Sequence, residues 1–344
     1  MPRVFTVYFC GTGFNRERKD ELIGNLASIT SGMEARPGNY SMHDAWMIHD
    51  GPGSTAHVAG SGAHTPGSGP FKVLRGSLFG HGWDQNVADA MSAIRFTMTN
   101  NPITTVNMAG WSRGAVTCHM LAHALAKDPV TAGINVNIFA VDPVAGPGHA
   151  SAADKHTLAR NVLRYQCVLS EHESRRIMKP VDVDRMHEHA PDAAFWVLRI
   201  PGEHSTGVLN GTPAGKLIWG LAHRFLSRHG TMLTRAIHHS PLDVCELYAG
   251  IRYYMPLFAA MHGTTGHQLG RENRDNLRNA FLNHHYWVNG HHQRNFLKAF
   301  PGVARVIENP NLVANAGMFD TELERVGASA PWTYTSMRKL GLVA

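Results

Sequence analysis

Cysteine is scarce in this sequence, and its continuous apolar stretches are short. The 344 residues include four cysteines that are far apart and lack metal-ligand spacing: Cys10, Cys118, Cys167 and Cys245. Nothing in this pattern suggests a disulfide framework, and the first three lie in apolar stretches where a cysteine acts as a small buried hydrophobe. No stretch approaches the roughly 20 apolar residues of a membrane-spanning helix. The opening MPRVFTVYFCGTGFN is too short for a secretory signal, so we expect synthesis in the cytoplasm without one.

Charged residues are also few, at 17% of the chain, whereas 43% of it is hydrophobic, which is typical of a folded protein. The net charge of +6 favours anionic partners such as phospholipid headgroups or nucleic acid. Nucleic acid is disfavoured because the sequence has no run of five basic residues and no nucleic-acid-binding motif. Histidine is plentiful, but H-E-x-x-H is absent and adjacent histidines rarely bind one ion together. We therefore expect no cofactor and no catalytic metal.

Strand-like and helix-like segments alternate over about the first 210 residues. Runs rich in Val, Ile, Phe and Tyr predict strands at 4–10, 103–109, 134–141, 162–169 and 194–200. Helical periodicity appears between them at 84–98 and 113–127, and the Gly/Pro/Ser-rich segment 50–70 is predicted to be a loop. This alternation predicts an α/β fold, a mostly parallel sheet flanked by helices on both faces.

The strand signal fades after about residue 210, and three helical patterns follow at 215–229, 242–262 and 273–299. We therefore divide the chain into a catalytic core at 1–214 and a mainly α-helical cap or lid region at 215–344. The apolar stripes of these helices fit an ordinary core better than an interfacial helix beside a lipid pocket.

The pentapeptide GWSRG at 110–114 places a serine between two glycines. Such a motif arises often by chance, and a simple tight turn would explain it. Here, however, it follows a predicted strand and opens a predicted helix, which is the setting of a nucleophile elbow in an α/β-hydrolase-like fold. The strand and helix backbones pass closely there, so small residues are needed two positions either side, where Gly110 and Gly114 stand. We predict that Ser112 is a nucleophile.

A nucleophilic serine needs a base, and the base needs an orienting acid. In this fold the acid and then the histidine follow the serine, each after a strand. Asp142 and His204 stand in that order after strands 134–141 and 194–200, although an Asp before Pro is also a common turn former. Position alone singles out His204 among 23 histidines. Reserve acids are Asp182, Asp184 and Asp192, and reserve bases are His149, His238 and His239.

The tetrahedral intermediate of acyl transfer also needs two N–H donors. We expect one from Arg113, directly after the serine, and the other from the loop after the first strand, Gly11, Thr12 and Gly13. The glycines of that loop would allow the backbone to approach a substrate closely, and they would equally end the strand.

Six motifs occur in the order of a known family. The segments FCGTG, HDGPGS, LFGHGWDQNV, GWSRGA, CVLSEHESRRIMKP and PGEHS match its F-D-G-T-G, Y-D-G-V-G-T, A-F-G-x-G-L-D-x-N-I, G-F-S-R-G-A, A-L-S-I-D-E-x-R-x-x-F-x-P and P-G-V-H-S. Residues 5 to about 210 thus resemble the bacterial and fungal α/β-hydrolase family that includes the first family of type VI secretion lipase effectors. Cys10 and Thr206 stand where the family has acids, so no anchoring or ion-binding role is carried over to them.

The resemblance implies that Ser112 is the nucleophile, His204 the base and Asp142 the acid of a triad. It also implies that the substrates are lipid esters, phospholipids first, at a transient membrane surface. Delivery as an antibacterial or host-directed toxin would add a secretion-system component and an immunity protein as partners. Two other functions stay open: a soluble carboxylesterase of small or polymeric esters, and a catalytically silent basic binding protein.

Overall fold

The computed structural model describes residues 3–54, 82–99, 102–146, 149, 152–170, 178–200 and 204–235. Its strands are β1 Arg3–Phe9, β2 Met33–Glu34, β3 Asp44–His49, β4 Ile103–Trp111, β5 Asn135–Val141, β6 Val162–Ser170 and β7 Ala194–Ile200. Its helices are α1 Leu22–Ser28, α2 Trp83–Met98, α3 Arg113–Lys127, α4 Ala153–His156, α5 Val183–His189 and α6 Pro213–Arg228. The predicted helices 242–262 and 273–299 lie outside the described residues, as does most of the predicted loop 50–70.

The seven strands form one sheet in the order β2-β3-β1-β4-β5-β6-β7. The five neighbouring pairs from β2 to β6 are all parallel. Parallel strands require crossover connections, and helices provide them here. The predicted α/β architecture with a mostly parallel sheet is therefore confirmed, and all five predicted strands are present.

Successive residues of each strand point to opposite faces of the sheet. Because both faces carry apolar side chains, helices cover both of them. Phe5, Val7 and Phe9 of β1 join a core with apolar residues of α2 and α3. On the other face, the Tyr8 hydroxyl lies 2.7 Å from that of Thr30, just after α1. The same face receives α6, whose Phe225 ring lies 5.7 Å from that of Phe139 in β5. This two-sided burial fits the nearly continuous apolar strands.

The chain divides into two compact units that are not contiguous in sequence. The first takes in the described residues of Met1–Leu169, Ile177–Val197 and Ala222–Ala236, and the second those of Ser170–Arg176 and Leu198–Leu221. Within the described part of the chain, no helix has the length and apolar character needed to cross a membrane.

Candidate active site

Ser112 occupies the turn between β4 and α3, with a backbone φ of 56° and ψ of −126°. A non-glycine residue in such a conformation costs about 1–3 kcal/mol and persists only where its surroundings enforce it. Across the described residues, Ser112 and Asp142 (φ 39°) are the two non-glycine positions with positive φ. The two strained residues are those that the sequence singled out as nucleophile and acid.

The glycines on either side of Ser112 are required by close backbone approach. A Cβ on Gly110 would lie 2.6 Å from the carbonyl carbon of Gly114. One on Gly114 would lie 2.6 Å from the carbonyl oxygen of Cys10, at the end of β1. Both positions therefore exclude any larger residue, because α3 starts against β4 and the end of β1 at once.

Asp142 lies beside Ser112 through the parallel pairing of β4 with β5. The Ser112 N–H donates to the Val141 carbonyl at 2.9 Å, and the Val144 N–H donates to the Ser112 carbonyl at 3.2 Å. The Asp142 N–H donates to the Val168 carbonyl of β6 at 2.7 Å. Both residues are buried. The structure thus brings the predicted nucleophile and acid onto neighbouring strand ends and holds both backbones.

His204 belongs to the second compact unit. It is buried and begins a turn in which the Val208 N–H donates to the Ser205 carbonyl at 3.2 Å. The Thr206 carbonyl accepts a hydrogen bond from the Thr212 hydroxyl at 2.7 Å, just before α6. The region around His204 is therefore a hydrogen-bonded turn between β7 and α6.

The reserve residues have other roles or lie elsewhere. The Asp182 carboxylate caps α5 by accepting the Arg185 N–H at 3.4 Å. The His149 Nδ1 lies 3.1 Å from the Lys155 ammonium, and its ring lies 4.9 Å from that of Trp83. Asp184 lies within α5 and Asp192 is exposed after it. His238 and His239 are outside the described residues.

The loop after β1, which includes Gly11, Thr12 and Gly13, is tied to the end of β3. The Gly13 N–H donates to the Pro52 carbonyl at 3.1 Å, and the Gly51 N–H donates to the Phe14 carbonyl at 2.8 Å. The Gly13 amide is therefore engaged within the protein. Of the three predicted loop donors, Gly11 and Thr12 remain as candidates for an oxyanion.

Asp50 and Arg16 fix the far side of this loop, a role that the sequence did not indicate. The Arg16 backbone N–H donates to the buried Asp50 carboxylate at 2.9 Å. The Arg16 guanidinium pairs with Glu34 at 2.5 Å and donates to the Ile48 carbonyl at 2.8 Å. In the sequence, HDGPGS entered only as a motif of the resemblance, and nothing in its spacing points to Arg16.

Burial sets the protonation of three groups around the serine turn. It raises the pKa of the Cys10 thiol well above its usual value, so this residue is neutral. Cys10 therefore supplies no negative charge at the position where the family that the sequence resembles has an acid. It lowers the pKa of His49 to about 3, so the imidazole is neutral. It lowers the pKa of Arg113 to about 10, which leaves the guanidinium cationic at neutral pH.

No family model and no curated protein matches the chain. Several solved structures are similar to it, among them two at low identity. One is an uncharacterized protein from Pseudomonas aeruginosa, with 12% identity, a TM-score of 0.46, and coverage of 100% of this chain and 64% of that one. The other is the Tle1 effector bound to the VgrG spike from the Type 6 secretion system, with 14% identity, a TM-score of 0.36, and coverage of 60% and 51%. The chain thus spans about half to two thirds of their length.

Both TM-scores lie below 0.5, so neither structure indicates what this site does. The chemistry follows from the residues of the site. A serine on a strained turn stands at the N-terminus of a 15-residue helix, where amide N–H groups and the helix dipole favour negative charge. A buried aspartate lies on the neighbouring strand end. These features suit attack on a carbonyl carbon followed by stabilisation of an oxyanion.

Proposed function

We propose that the protein is a serine ester hydrolase that cleaves lipid carboxylic esters, with phospholipids as the substrate class. The observation that carries this proposal is the Ser112 turn, where a serine with positive φ stands between two glycines whose backbones leave no room for a side chain. A nucleophile elbow needs this backbone strain because the serine hydroxyl must stand clear of both strand and helix. The lipid class is supported by the ordered motif resemblance and by the positive net charge.

In the proposed reaction, the Ser112 hydroxyl attacks the ester carbonyl carbon while His204 takes its proton. Asp142 holds the imidazole in the tautomer that accepts this proton. The oxyanion accepts hydrogen bonds from the Arg113 N–H and from an N–H of Gly11 or Thr12.

The C–O bond to the alcohol then breaks, and the lysolipid leaves with the proton from His204. Water, deprotonated by His204, attacks the acyl-enzyme, which releases the fatty acid and restores the Ser112 hydroxyl. The base is assigned to His204 from its place after β7 and from its P-G-x-H-S context. Delivery by a type VI secretion system, with a carrier and an immunity protein as partners, is proposed on the sequence resemblance alone.

A fluorophosphonate probe tests the nucleophile directly. We expect it to label the wild-type protein at Ser112 and to leave the Ser112→Ala variant unlabelled. The matched control is Ser92→Ala, which removes an exposed hydroxyl on α2 and should be labelled normally. Losing Ser112 or His204 should lower kcat by about 10⁶-fold, as in other triad enzymes. A wild-type protein that resists the probe would be a binding protein, and the proposal would fail.

The substrate class is tested by comparing phosphatidylethanolamine and phosphatidylglycerol vesicles with short-chain nitrophenyl esters. We expect the wild-type protein to release fatty acid from the vesicles. With Ser112→Ala, the release should not exceed the spontaneous hydrolysis of the lipid. Turnover of nitrophenyl esters with no release from vesicles would identify a soluble carboxylesterase and remove the lipid part of the proposal.

A further inference from the structure

The side chains on either side of Ser112 both contact the loop after β1. The Trp111 ring lies over Gly11, since a Cβ on that glycine would be 2.7 Å from the Trp111 Cζ2. The same ring meets Phe14 edge to face, with centroids 5.1 Å apart. From the other side, the Arg113 Nη1 donates to the Thr12 hydroxyl at 2.8 Å. The loop is therefore held by residues of the serine turn itself.

The Arg113 guanidinium also packs against the loop that follows Asp142. Gly146 in this loop has a φ of 78°, and a Cβ there would lie 3.1 Å from the Arg113 Cζ and 3.2 Å from its Nε. The guanidinium thus occupies the space that a side chain at position 146 would fill, while one of its nitrogens binds Thr12. One side chain touches both loops that flank the serine.

Arginine suits this position better than lysine does. The residue is 1% exposed, so its charge and all its donors lie inside the protein. A guanidinium presents five donors in a rigid planar fork and can stack on a flat surface, whereas an ammonium is a compact point charge on a flexible stem. Burying such a cation is costly, so its hydrogen bond to Thr12 matters for the stability of this arrangement.

We propose that the Arg113 guanidinium is a positioning group that sets the distance between the oxyanion-binding loop and the serine turn. It acts through its hydrogen bond to Thr12. This bond keeps the N–H donors of the loop at the distance from the Arg113 N–H at which both can bind the same oxyanion. The inference rests on the proposed function, because it names what orients that function's second oxyanion donor. Displacing a catalytic group by about 1 Å can cost about 100-fold in rate.

The test removes the bond from each end. Thr12→Val keeps the side-chain shape without the acceptor, and Arg113→Lys keeps the charge without the fork. For both variants we expect kcat to fall by about 10- to 100-fold with KM within about twofold of wild type, because the donor is displaced by up to about 1 Å and not removed. Thr12→Ser, which restores the hydroxyl, should recover most of the wild-type kcat.

The matched controls are Thr104→Val and Arg95→Lys, on an exposed hydroxyl and an exposed guanidinium outside the site. Phosphonylation of Ser112 gives the number of active sites, so the rate is expressed per folded molecule even if a variant is less stable. Unchanged kcat per active site in Thr12→Val and Arg113→Lys would overturn the inference and leave the proposed function intact. A wild type that is neither labelled nor active would overturn both.

Discussion

At the scale of single residues, the contact of Gly114 with the end of β1 leaves no room for a side chain. We expect Gly114→Ala to lower the free energy of unfolding by about 2–3 kcal/mol, since backbone atoms on β1 cannot move aside for the new carbon. The measurement is chemical denaturation. The control is Gly133→Ala, where a Cβ meets nothing within 4 Å and φ is not positive, so stability should stay the same or rise. Equal stability of the two variants would contradict the close approach.

His49 should make stability depend on acid. Its ring is buried, stacks on Phe9 at 5.1 Å, and within the described structure neither ring nitrogen has a hydrogen-bond partner. Because burial lowers its pKa from 6.5 to about 3, the unfolded chain binds a proton first on acidification. Its contribution is therefore complete above pH about 6.5 and is lost as pH falls towards 3, by at most about 1.4 kcal/mol per pH unit.

Replacing this histidine with phenylalanine should keep the stack on Phe9 and remove the proton uptake. Between pH 6 and pH 4, we expect His49→Phe to take up about one proton fewer than wild type on unfolding. The slope of its unfolding free energy against pH should then be smaller by about 1.4 kcal/mol per pH unit. Denaturation curves across that range give the slope, and His43→Phe, on an exposed histidine, serves as the control. If His49→Phe kept the wild-type slope of unfolding free energy against pH, this imidazole would not be a cause of the loss of stability in acid.

Single residues of the site were predictable where the signal was local. Gly110, Ser112 and Gly114 lie within five positions, and their spacing between a predicted strand and a predicted helix indicates the geometry of the turn. The contact of Arg113 with Thr12 joins residues 101 positions apart, and nothing in the sequence marks it. Likewise the commitment of the Gly13 amide to Pro52 depends on how β1 and β3 pair, which the sequence did not indicate.

At the scale of elements, a polar layer crosses the centre of the apolar sheet. Thr6, Asn107 and Asn137 are register partners on β1, β4 and β5. The Asn137 Nδ2 donates to the Asn107 Oδ1 at 2.9 Å, and the Asn107 Nδ2 donates to the His229 carbonyl and the Thr231 hydroxyl, both at 2.9 Å. This layer fastens the chain after α6 to the sheet.

Removing the central amide should release that end of the chain. We expect Asn107→Leu to cost about 3 kcal/mol, because it leaves the Asn137 amide and the His229 carbonyl buried without their partner. Hydrogen exchange should speed up for the amides of residues 226–231 while those of α3 keep their protection. The control is Thr104→Val, on an exposed hydroxyl of the same strand. Unchanged exchange after α6 would show that packing alone holds it.

Elements were predictable in proportion to their length and periodicity. Helices α2, α3 and α6 have 15 or 16 residues, and they match the predicted segments within two positions at each end. Helices α1, α4 and α5 were missed, since four to seven residues make at most about two turns, too few to reveal a helical period. Strand β3 was missed because its sequence, DAWMIH, contains a single β-branched residue and a charged residue at its start. Strand β2 has two residues and depends on its pairing with β3 rather than on its own sequence.

At the scale of the whole molecule, each compact unit is built from segments that are separated in the sequence. The sequence suggested a division at 214/215, where strand patterns give way to helical ones. That division stays a prediction. The compact units are a partition of another kind, in which the boundaries fall within β7 and within α6. Contacts between residues distant in sequence decide such a partition, and composition along the chain carries no record of them.

The net charge of +6 leads to a prediction for membrane association. We expect the Ser112→Ala protein, which leaves lipids intact, to sediment with vesicles containing phosphatidylglycerol. Raising the salt from about 0.1 M to about 1 M shortens the screening length from about 10 Å to about 3 Å, so the bound fraction should fall several-fold. Pure phosphatidylcholine vesicles, which carry no net charge, are the control and should bind less at low salt. If the bound fraction depended neither on salt nor on headgroup charge, apolar contacts would cause the binding to lipid, and the net positive charge of the chain would not.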